Sequence, residues 1–321
     1  MSESNGRRYR LVTRSDFDGL VCAALLRQID LVDDIKFVHP KDMQDGKVEI
    51  SGTDITTNLP YAEGVHLAFD HHPSEELRIQ GTPGNWVMDA EALSTARVVY
   101  DHFGGAERFP RFGQEIMEAV DKADAAHFSA EEILQPTGWA LLSFLMDPRT
   151  GLGRFREFRI SNYQLMMELI DAATRLTIGE IFELRDVKER VELYFEHEPQ
   201  AIEQIRRCSE VHGELVVLDL RDEEVIHPIN RFMVYALFPE ANISIHVIWG
   251  LKKRNTVLAT GKSIIDRSSR TDVGEMMLSY GGGGHKAAGT CQIDNDRVEA
   301  VLAEVASRIQ ADETQAHGVP A

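Results

Sequence analysis

The sequence has few cysteines, few aromatic residues and no long apolar run, and each of these scarcities excludes a class of protein. Its 321 residues include 3 cysteines, and an odd, widely spaced set of this kind makes no disulfide framework. Free thiols fit a reducing compartment, so we expect a cytoplasmic protein. No run of about 18 apolar residues exists, and we expect no membrane-spanning helix. Residues 1–10 are polar and lack the apolar stretch of a secretory signal.

Basic residues are also scarce. The chain has 34 Lys and Arg against 52 Asp and Glu, a net charge of −18 with histidines neutral. Long duplex nucleic acid is normally bound by a broad basic surface, so the composition argues against that partner. An aromatic content of 7% argues equally against a stacking channel for long single strands. A short anionic substrate, held by a local cluster or by metal ions, is compatible with this balance.

The hydrophobic pattern predicts an α/β protein with two domains. In the first half, apolar strand patterns alternate with helical ones, which is typical of a mainly parallel sheet. We predict strands over 9–13, 36–39, 47–51 and 65–69, and helices over 20–29, 93–103 and 112–122.

The second half predicts a helical connection and a smaller α/β domain. Helices are expected over 163–174, 178–196 and 200–212, with Pro199 as an interruption. The last third predicts strands over 215–220, 243–249 and 256–260, and helices over 232–237, 274–280 and 297–310. The expected organisation is a parallel-sheet domain over 8–185, a helical linker over 186–212, an α/β domain over 213–310 and a disordered tail over 311–321.

Acidic residues and histidines follow the predicted strands of the first half. Asp16 and Asp18 come after the first strand, Asp54 after the third, and Asp70 with His71 and His72 after the fourth. The segment 118–124 adds a further acid at a helix end. Ligands gather outside the carboxyl ends of parallel strands, so these side chains are expected at one site.

Carboxylates with one or two imidazoles favour a divalent ion such as Mn²⁺ or Mg²⁺. Several acids in one place repel one another unless cations are bound. A pair of metal ions about 3.5–4 Å apart activates water and clamps a phosphate ester, so phosphoryl chemistry is the expected use of the site. A single Asp after a strand is more often a turn residue or a helix N-cap. The adjacent histidines are harder to explain in that way, and the joint pattern favours the metal site.

A run of four glycines in the last third suggests an anion site. Residues 281–284 precede His285, and their backbone N–H groups would form a nest for a phosphate. Lys262, Ser263 and Arg267 lie upstream and would add charge, as would Arg270. The alternative is that the glycines form ordinary turns and the cations are solvated.

Taken together, these motifs resemble the DHH phosphoesterase superfamily. Asp70-His71-His72 matches the motif that names it, and residues 15–19 resemble its first motif. Asp54 resembles the second motif and Asp124 the fourth. Residues 281–289 resemble the glycine-histidine signature of the associated C-terminal domain. The pattern is similar to that of nanoRNases, phosphoadenosine-phosphate phosphatases, cyclic-dinucleotide phosphodiesterases and proteins described as exopolyphosphatase-related.

The resemblance implies a role for each matching residue. Asp54 and Asp124 would bridge two metal ions, with Asp16 on one ion and Asp18 and His71 on the other. His72 would contact the scissile phosphate or assist the leaving oxygen, and Asp70 would orient His71. The expected cofactor is two Mn²⁺ ions, with Mg²⁺ or Co²⁺ as alternatives. In the C-terminal domain, the substrate-binding residues would be Lys262, Ser263, Arg267, Gly282, Gly283, Gly284 and His285.

Two positions depart from the family's pattern. The first motif usually begins with a histidine four residues before its first aspartate, where this chain has Val12. Either a water or another residue such as His39 or His66 replaces that ligand, or the site binds its ion weakly. Lys262-Ser263 resembles the family's Arg-Ser pair, with Arg267 as the competing choice. If Lys262 takes the arginine's place, the site loses a fork-shaped phosphate donor.

The implied function is a Mn²⁺-dependent phosphohydrolase that cleaves phosphate esters of short nucleotides with metal-activated water, in a cleft between the domains. Alternatives are a hydrolase of short polyphosphate and a degenerate nucleotide-binding protein without activity, which Val12 motivates. The expected partner is a short phosphorylated nucleotide or oligonucleotide, with no long duplex and no membrane. The sequence leaves open whether the chain forms a homodimer.

Overall fold

The structure is a computed structural model, and it describes residues 8–79, 81, 83–110 and 112–314. The chain forms two compact units. The N-terminal unit contains residues 1–127 and 136–194, and the C-terminal unit contains residues 128–135 and 195–321. Both units combine helices with a sheet, and the prediction of a two-domain α/β fold is confirmed.

A five-stranded parallel sheet forms the centre of the N-terminal unit. Its strands lie in the order β2-β1-β3-β4-β5, and every neighbouring pair is parallel. Their bounds are β1 Tyr9–Arg14, β2 Val32–Val38, β3 Asp54–Thr57, β4 Leu67–Asp70 and β5 Trp86–Met88. The carboxyl ends of β1, β3 and β4 therefore meet at one edge of the sheet, as the sequence predicts for the site.

The described helices that precede residue 208 lie mainly in the N-terminal unit. Within the described residues they are α1 Phe17–Gln28, α2 Pro40–Gln44, α3 Pro73–Arg78, α4 Thr95–His102, α5 Gly105–Arg108, α6 Gln114–Asp124, α7 Ala130–Leu134, α8 Gly138–Met146, α9 Asn162–Ala172, α10 Ile178–Glu183 and α11 Arg185–Arg207. Of these, α7 lies in the C-terminal unit, and α11 continues from one unit into the other. Short 3-10 turns occupy Pro148–Thr150 and Leu152–Arg154.

Helix α1 is the central helix of the N-terminal core. Its residues from Phe17 to Leu26 are all buried, so the helix is apolar around its whole circumference rather than along one stripe. It contacts β1, α4, α6 and α9. Because α1 is enclosed on all sides, the residues at its first turn are held in fixed positions.

The third predicted strand is wrong. Residues 47–50 form a loop, and the strand begins only at Asp54. Apolar and polar residues alternate over 47–51, but this segment is not part of the sheet. Val48 and Ile50 lie in a loop and pack against a small cluster around Met43 and Leu59. This shift places Asp54 at the amino end of β3, opposite to the edge predicted for it.

A six-stranded mixed sheet forms the centre of the C-terminal unit. Its order is β10-β11-β9-β8-β7-β6, with β7 and β8 parallel and all other pairs antiparallel. The bounds are β6 Ser209–His212, β7 Leu215–Asp219, β8 Ile243–Trp249, β9 Thr256–Lys262, β10 Gly283–His285 and β11 Ala288–Ile293. The helices are α12 Met233–Leu237, α13 Val273–Leu278 and α14 Val298–Thr314, with a 3-10 turn at Leu251–Lys253.

The segment 128–135 belongs to the C-terminal unit, although it lies far before that unit's main range, 195–321, in the sequence. Helix α7 packs against α12. The buried Asn230 side chain donates its Nδ2 hydrogen to the Ile133 carbonyl at 3.0 Å, and the Phe128 and Phe232 rings lie 6.0 Å apart. A buried amide without such a partner costs stability, so this short helix is a structural part of the unit.

Two predictions about where helices end need correction, one for α11 and one for α14. Pro199 does not interrupt the helix, which runs through all 23 residues of α11. The proline removes one backbone donor, at a cost of about 3 kcal/mol, but burial of Tyr194, Ala201 and Ile205 on one face offsets that cost. The predicted tail over 311–321 begins too early, because α14 continues to Thr314; residues 315–321 lie outside the described residues.

No helix among the described residues has the length and apolar content needed to cross a membrane.

Candidate metal centre

The first motif forms the turn between β1 and α1. Asp16 is the N-cap of α1, and its Oδ1 accepts the Gly19 N–H at 3.0 Å. A Cβ atom on Gly19 would lie 2.0 Å from the Arg14 carbonyl oxygen, so the close approach of strand and helix requires glycine at this position. The turn directs Asp18 into the interior, where it is buried.

Asp18 is held by the amino end of a second helix. Its Oδ1 accepts the Ala96 N–H at 2.7 Å and its Oδ2 accepts the Thr95 N–H at 3.2 Å, both in the first turn of α4. These donors fix the carboxylate, and the helix N-terminus favours its negative charge.

Asp70 ends β4 and organises the two residues that follow it. Its Oδ1 accepts the His71 and His72 backbone N–H groups at 2.8 and 3.3 Å, and it lies 2.7 Å from Nδ1 of the His72 ring. We predicted that Asp70 orients His71, and the structure corrects this. The carboxylate contacts the ring of His72, because the chain turns directly after β4 and folds that ring back onto it.

His71 is oriented instead by a backbone carbonyl. Its Nδ1 lies 3.0 Å from the Ala92 oxygen, which can only accept, so Nδ1 carries a proton. Nε2 is then directed to the opposite side, where Oδ2 of Asp124 lies 2.8 Å away. This is the arrangement in which a histidine ligates a metal through Nε2.

Asp18, His71 and Asp124 form a cluster of metal-ligating atoms that all lie within 4.8 Å of one another. Asp124 is the last residue of α6 and is directed here by the end of that helix. Among the residues the structure describes, this is the one group of at least three such ligands. The structure brings these three predicted ligands together.

The electrostatics of the cluster reflect a deficit of positive charge. Burial, together with the charges of Asp124 and Asp16, raises the pKa of Asp18 to about 8. Burial lowers the pKa of His71, but the hydrogen bond and charge of Asp124 outweigh it and raise that pKa to about 9. The Asp124 pKa is lowered, because its bond to His71 outweighs the effect of burial.

A divalent ion fits this set of donors. His71 Nε2 and Asp124 Oδ2 face each other at 2.8 Å, and a metal ion would be bound by both atoms. Two carboxylate oxygens and one imidazole nitrogen suit Mn²⁺ or Mg²⁺. The residues that would hold the ion are therefore Asp18, His71 and Asp124.

Asp16 lies beside the cluster but already has cationic and polar partners. Its Oδ2 lies 2.9 Å from Arg14 Nε, and its Oδ1 faces Asn58 Nδ2 at 3.4 Å as well as Gly19. Burial raises the pKa of Asp16, and the charge of Arg14 opposes that shift. Among the predicted ligands, Asp16 is thus near the centre without joining the group of three.

Asp54 does not belong to the centre, and the prediction that it bridges two ions needs correction. It begins β3, pairs in register with Arg10 and bonds to the guanidinium of that residue at 2.7 and 3.0 Å. Ser51 donates two further hydrogen bonds to it. Burial raises the pKa of Asp54, but the Arg10 and Ser51 bonds hold it below its usual value. The residue at the opposite end of β3, next to Asp16, is Asn58.

The residues considered for the missing histidine do not lie at the centre either. Val12 is fully buried on the face of the sheet that packs on Met43 and Leu59, so a ligand at this position would face a separate core. His39 caps α2 by accepting the Lys41 N–H, and the His66 ring stacks on Tyr9 at 4.1 Å.

Three residues at this edge were missed by sequence reasoning. Arg14 ends β1, Asn58 follows β3, and Arg149 is close enough for its charge to act on Asp16 and Asp124. Asn58 has a positive φ of 55° and is buried. Asn58 directly follows β3, and polar residues at the carboxyl ends of parallel strands are candidates for a site. Correct bounds for β3 would therefore have identified Asn58 as a site residue.

The acids of the segment 118–124 have different roles, which resolves the open choice between them. Asp121 accepts hydrogen bonds from Ser94 and from the Arg97 guanidinium at 2.7 and 2.6 Å, and so ties α4 to α6. Glu118 is exposed and bonds to Gln114. Asp124 alone of these acids joins the cluster.

In the C-terminal unit, the glycine run forms the hairpin of β10 and β11. A Cβ on Gly282 would lie 2.1 Å from the Thr290 oxygen, and one on Gly284 would lie 2.3 Å from the Ala288 oxygen. The glycines therefore allow the close backbone packing of this hairpin. His285 is exposed at the end of β10.

Cationic and polar groups lie near this hairpin. The Lys262 backbone N–H donates to the Ala287 carbonyl at 2.8 Å, and Lys286 is near enough to lower the Lys262 pKa, although burial is the larger cause. Ser263 accepts the Ile265 and Asp266 N–H groups, which fixes a turn. Arg267 Nε donates to the Ile264 carbonyl at 3.2 Å, and Gly283 pairs with Thr290 in the hairpin.

The solved structures that resemble this chain include a near relative and more distant ones. The pGpG-specific phosphodiesterase PggH from Vibrio cholerae is 58% identical, with a TM-score of 0.83 over 95% of this chain and 100% of that chain. RecJ from Thermus thermophilus in complex with Mn²⁺ has a TM-score of 0.54 at 16% identity, over 95% of this chain and 52% of that one. CDC45 from Entamoeba histolytica has a TM-score of 0.53 at 9% identity, over 94% and 95%. No protein-family model and no curated protein matches the chain.

Proposed function

Since the chain belongs to the DHH phosphoesterase superfamily, we propose that it hydrolyses the phosphodiester bond of a short linear dinucleotide of the pGpG kind. The observation that supports this substrate is the 58% identity, over essentially the full length of both chains, to a phosphodiesterase specific for pGpG. RecJ and CDC45 support the fold alone.

A divalent ion at Asp18, His71 and Asp124 would supply the Lewis acid for this reaction, lowering the pKa of a water and offsetting phosphoryl charge. Mn²⁺ is the ion we propose, because the cluster mixes hard carboxylates with a borderline imidazole. Mg²⁺ and Co²⁺ are the alternatives to test.

His72 is proposed as the group that donates a proton to the leaving oxygen. Its Nδ1 is held by the buried carboxylate of Asp70 at 2.7 Å, which fixes the tautomer and the ring plane. Burial lowers the His72 pKa, but the Asp70 bond outweighs it, so the protonated form persists to higher pH than for a free histidine. A protonated imidazole beside the reacting phosphate is a suitable general acid.

Arg14 and Arg149 are proposed to bind the phosphate of the scissile bond. Both place positive charge beside Asp16, and an arginine fork matches the oxygens of a phosphate. In the C-terminal unit, we propose that Lys262, Ser263, Arg267 and His285, together with the backbone of Gly282, Gly283 and Gly284, hold the terminal phosphate or base of the dinucleotide. The nearby Lys286 supports an anion there.

The experiment is product analysis with purified protein and each divalent ion in turn. The substrates are pGpG, pApA, cyclic di-GMP, adenosine 3′,5′-bisphosphate and tripolyphosphate. We expect metal-dependent conversion of pGpG to GMP, and its loss when a chelator is present. If pGpG stays intact with every ion while tripolyphosphate is consumed, the polyphosphate alternative is correct. If no substrate is consumed, the chain is the binding protein without activity.

A matched pair of variants on α6 tests the assignment of the metal centre. Asp124→Asn removes a charged ligand, and we expect loss of both bound metal and turnover. Glu118→Gln makes the same chemical change on an exposed turn of the same helix, and we expect wild-type metal content and turnover. Equal activity in the two variants would contradict the proposed centre.

A further inference from the structure

We propose that the centre binds one divalent ion, and that the Arg14 guanidinium supplies the positive charge that a second ion would otherwise provide. This inference rests on the proposed function, because it concerns how the same site holds a phosphate. It replaces the two-ion site that the sequence predicts with a site of one metal ion and one arginine.

The first observation concerns Asp16, the carboxylate that remains for a second ion. Its Oδ2 already lies 2.9 Å from Arg14 Nε, and its Oδ1 accepts the Gly19 N–H at 3.0 Å as the N-cap of α1. Asn58 Nδ2 approaches the same Oδ1 at 3.4 Å. Both oxygens thus have partners supplied by the fold, and one partner is a permanent cation.

The second observation is that the other predicted ligands of a second ion lie elsewhere. Asp54 is at the amino end of β3 in a bonded pair with Arg10, and Val12 packs in the cluster of Met43 and Leu59. The residue that the sheet places beside Asp16 is Asn58, a neutral amide. A second divalent ion would therefore lack the carboxylate and imidazole that bind such ions tightly.

The third observation is the amide orientation of Asn58. Asp16 can only accept, so the Nδ2 end of Asn58 faces it, and this assigns Oδ1 to the other side. That oxygen is buried and has no hydrogen-bond partner among the described residues. An Asn with a positive φ of 55° and an unsatisfied buried oxygen carries a cost, which is typical of a residue kept for a site rather than for packing.

Charge balance leads to the same conclusion. Asp16, Asp18 and Asp124 carry three negative charges when ionised, and Arg14 carries one positive charge. One divalent ion brings this set to neutrality, with His71 as a neutral ligand. A second ion would leave two positive charges without a protein partner in a partly buried place, which is strongly unfavourable.

The arrangement divides two tasks between different groups. An ion held by Asp18, His71 and Asp124 would supply the activation of water, which an arginine cannot supply because it stays protonated. The guanidinium has five N–H donors and uses Nε toward Asp16, which leaves the other donors to bind a non-bridging phosphate oxygen. Asp16 is then a positioning residue that holds Arg14.

The test is metal stoichiometry, measured by equilibrium dialysis with elemental analysis and by electron paramagnetic resonance of Mn²⁺. For the wild type we expect one ion per chain at saturation and a mononuclear spectrum. The Arg14→His, Asn58→Asp double variant introduces an imidazole and a carboxylate beside Asp16. We expect this variant to bind a second Mn²⁺ ion, with spin coupling between the two ions. Arg8→His, on an exposed arginine paired with Asp30, is the control, and we expect one ion.

Two ions in the wild type would overturn this inference and leave the proposed function standing. No bound ion would overturn both. If the double variant does not fold, as judged by circular dichroism, the wild-type stoichiometry still decides the matter.

The role of Arg14 has a separate measurement. Arg14→Gln should raise the KM for pGpG about tenfold to a hundredfold, which is the effect of losing a charged hydrogen bond, with the Mn²⁺ dissociation constant changed much less. An unchanged KM would contradict the phosphate role.

Discussion

The two adjacent histidines have different partners, so their loss should have different effects. His71 is held by the Ala92 carbonyl and faces Asp124, whereas His72 is held by Asp70. We predict that His72→Ala lowers kcat by about 10²–10⁴, the range for loss of a general acid, while Mn²⁺ content stays at the wild-type level. Steady-state kinetics and elemental analysis check this. Loss of metal together with activity would mean that His72 is a ligand.

Asp54 should affect stability and not chemistry. We predict that Asp54→Ala lowers the free energy of unfolding by about 1.5–3 kcal/mol, the range for hydrogen bonds to a charged group, with turnover of the folded protein retained. Because the Asp54 pKa is depressed in the folded state, its contribution is complete above the unfolded value of about 3.9 and is lost as pH falls through the folded value. Urea unfolding of wild type and variant at pH 7 and pH 3 measures this. A difference that stays constant between these pH values would contradict the assignment.

Single residues of the site could be predicted where a short motif fixes their spacing. Asp18, His71 and Asp124 come together as expected, because each lies directly beside a strand or helix end that the pattern identifies. The prediction for Asp54 was wrong because the edge of the sheet at which this residue lies depends on where β3 begins. The alternating segment 47–51, which is a loop, was taken for the strand. Arg14 and Asn58 were missed because only the folded structure shows that both side chains contact Asp16.

Among the elements, α1 is the one that positions the site most directly. Gly19 permits the close approach of its first turn to β1. We predict that Gly19→Ala lowers the free energy of unfolding by about 1–3 kcal/mol through overpacking and weakens Mn²⁺ binding, since Asp18 lies in the same turn. Thermal unfolding and metal titration check this. Gly179→Ala is the control: nothing lies near its Cβ position in α10, and alanine there should stabilise by about 0.5–1 kcal/mol. A wild-type Mn²⁺ affinity in Gly19→Ala would contradict the coupling.

Elements with a clear apolar pattern were predicted, and short or interrupted ones were not. Strand β8 was predicted at its observed bounds, Ile243–Trp249, because its β-branched residues alternate with Ser244 and His246 at the period of a strand. Helix α8 was missed although it is strongly apolar. Pro199 misled the interpretation of α11, since a proline's local cost is visible in the sequence while the packing that offsets it is not.

At the scale of the whole molecule, the charge of −18 should limit the substrate to short nucleotides. A long strand carries many phosphates over an acidic surface, and each added phosphate beyond the site adds repulsion. We predict that a 20-nucleotide single strand inhibits pGpG hydrolysis no better than a dinucleotide with the same 5′ end, at low and at physiological salt. Competition kinetics check this. Inhibition by the long strand that is much stronger, and that weakens with salt, would indicate a basic track for nucleic acid.

The placement of helix α7 has a consequence for how this protein can change during evolution. The C-terminal unit takes Phe128 and Ile133 from the first half of the chain, and Ile133 satisfies the buried amide of Asn230. A gene segment that encodes only residues 195–321 would lack this partner. Exchange of the C-terminal unit between relatives by a single crossover would thus separate co-adapted residues. The C-terminal unit is therefore expected to change by point substitution within one gene rather than by domain shuffling.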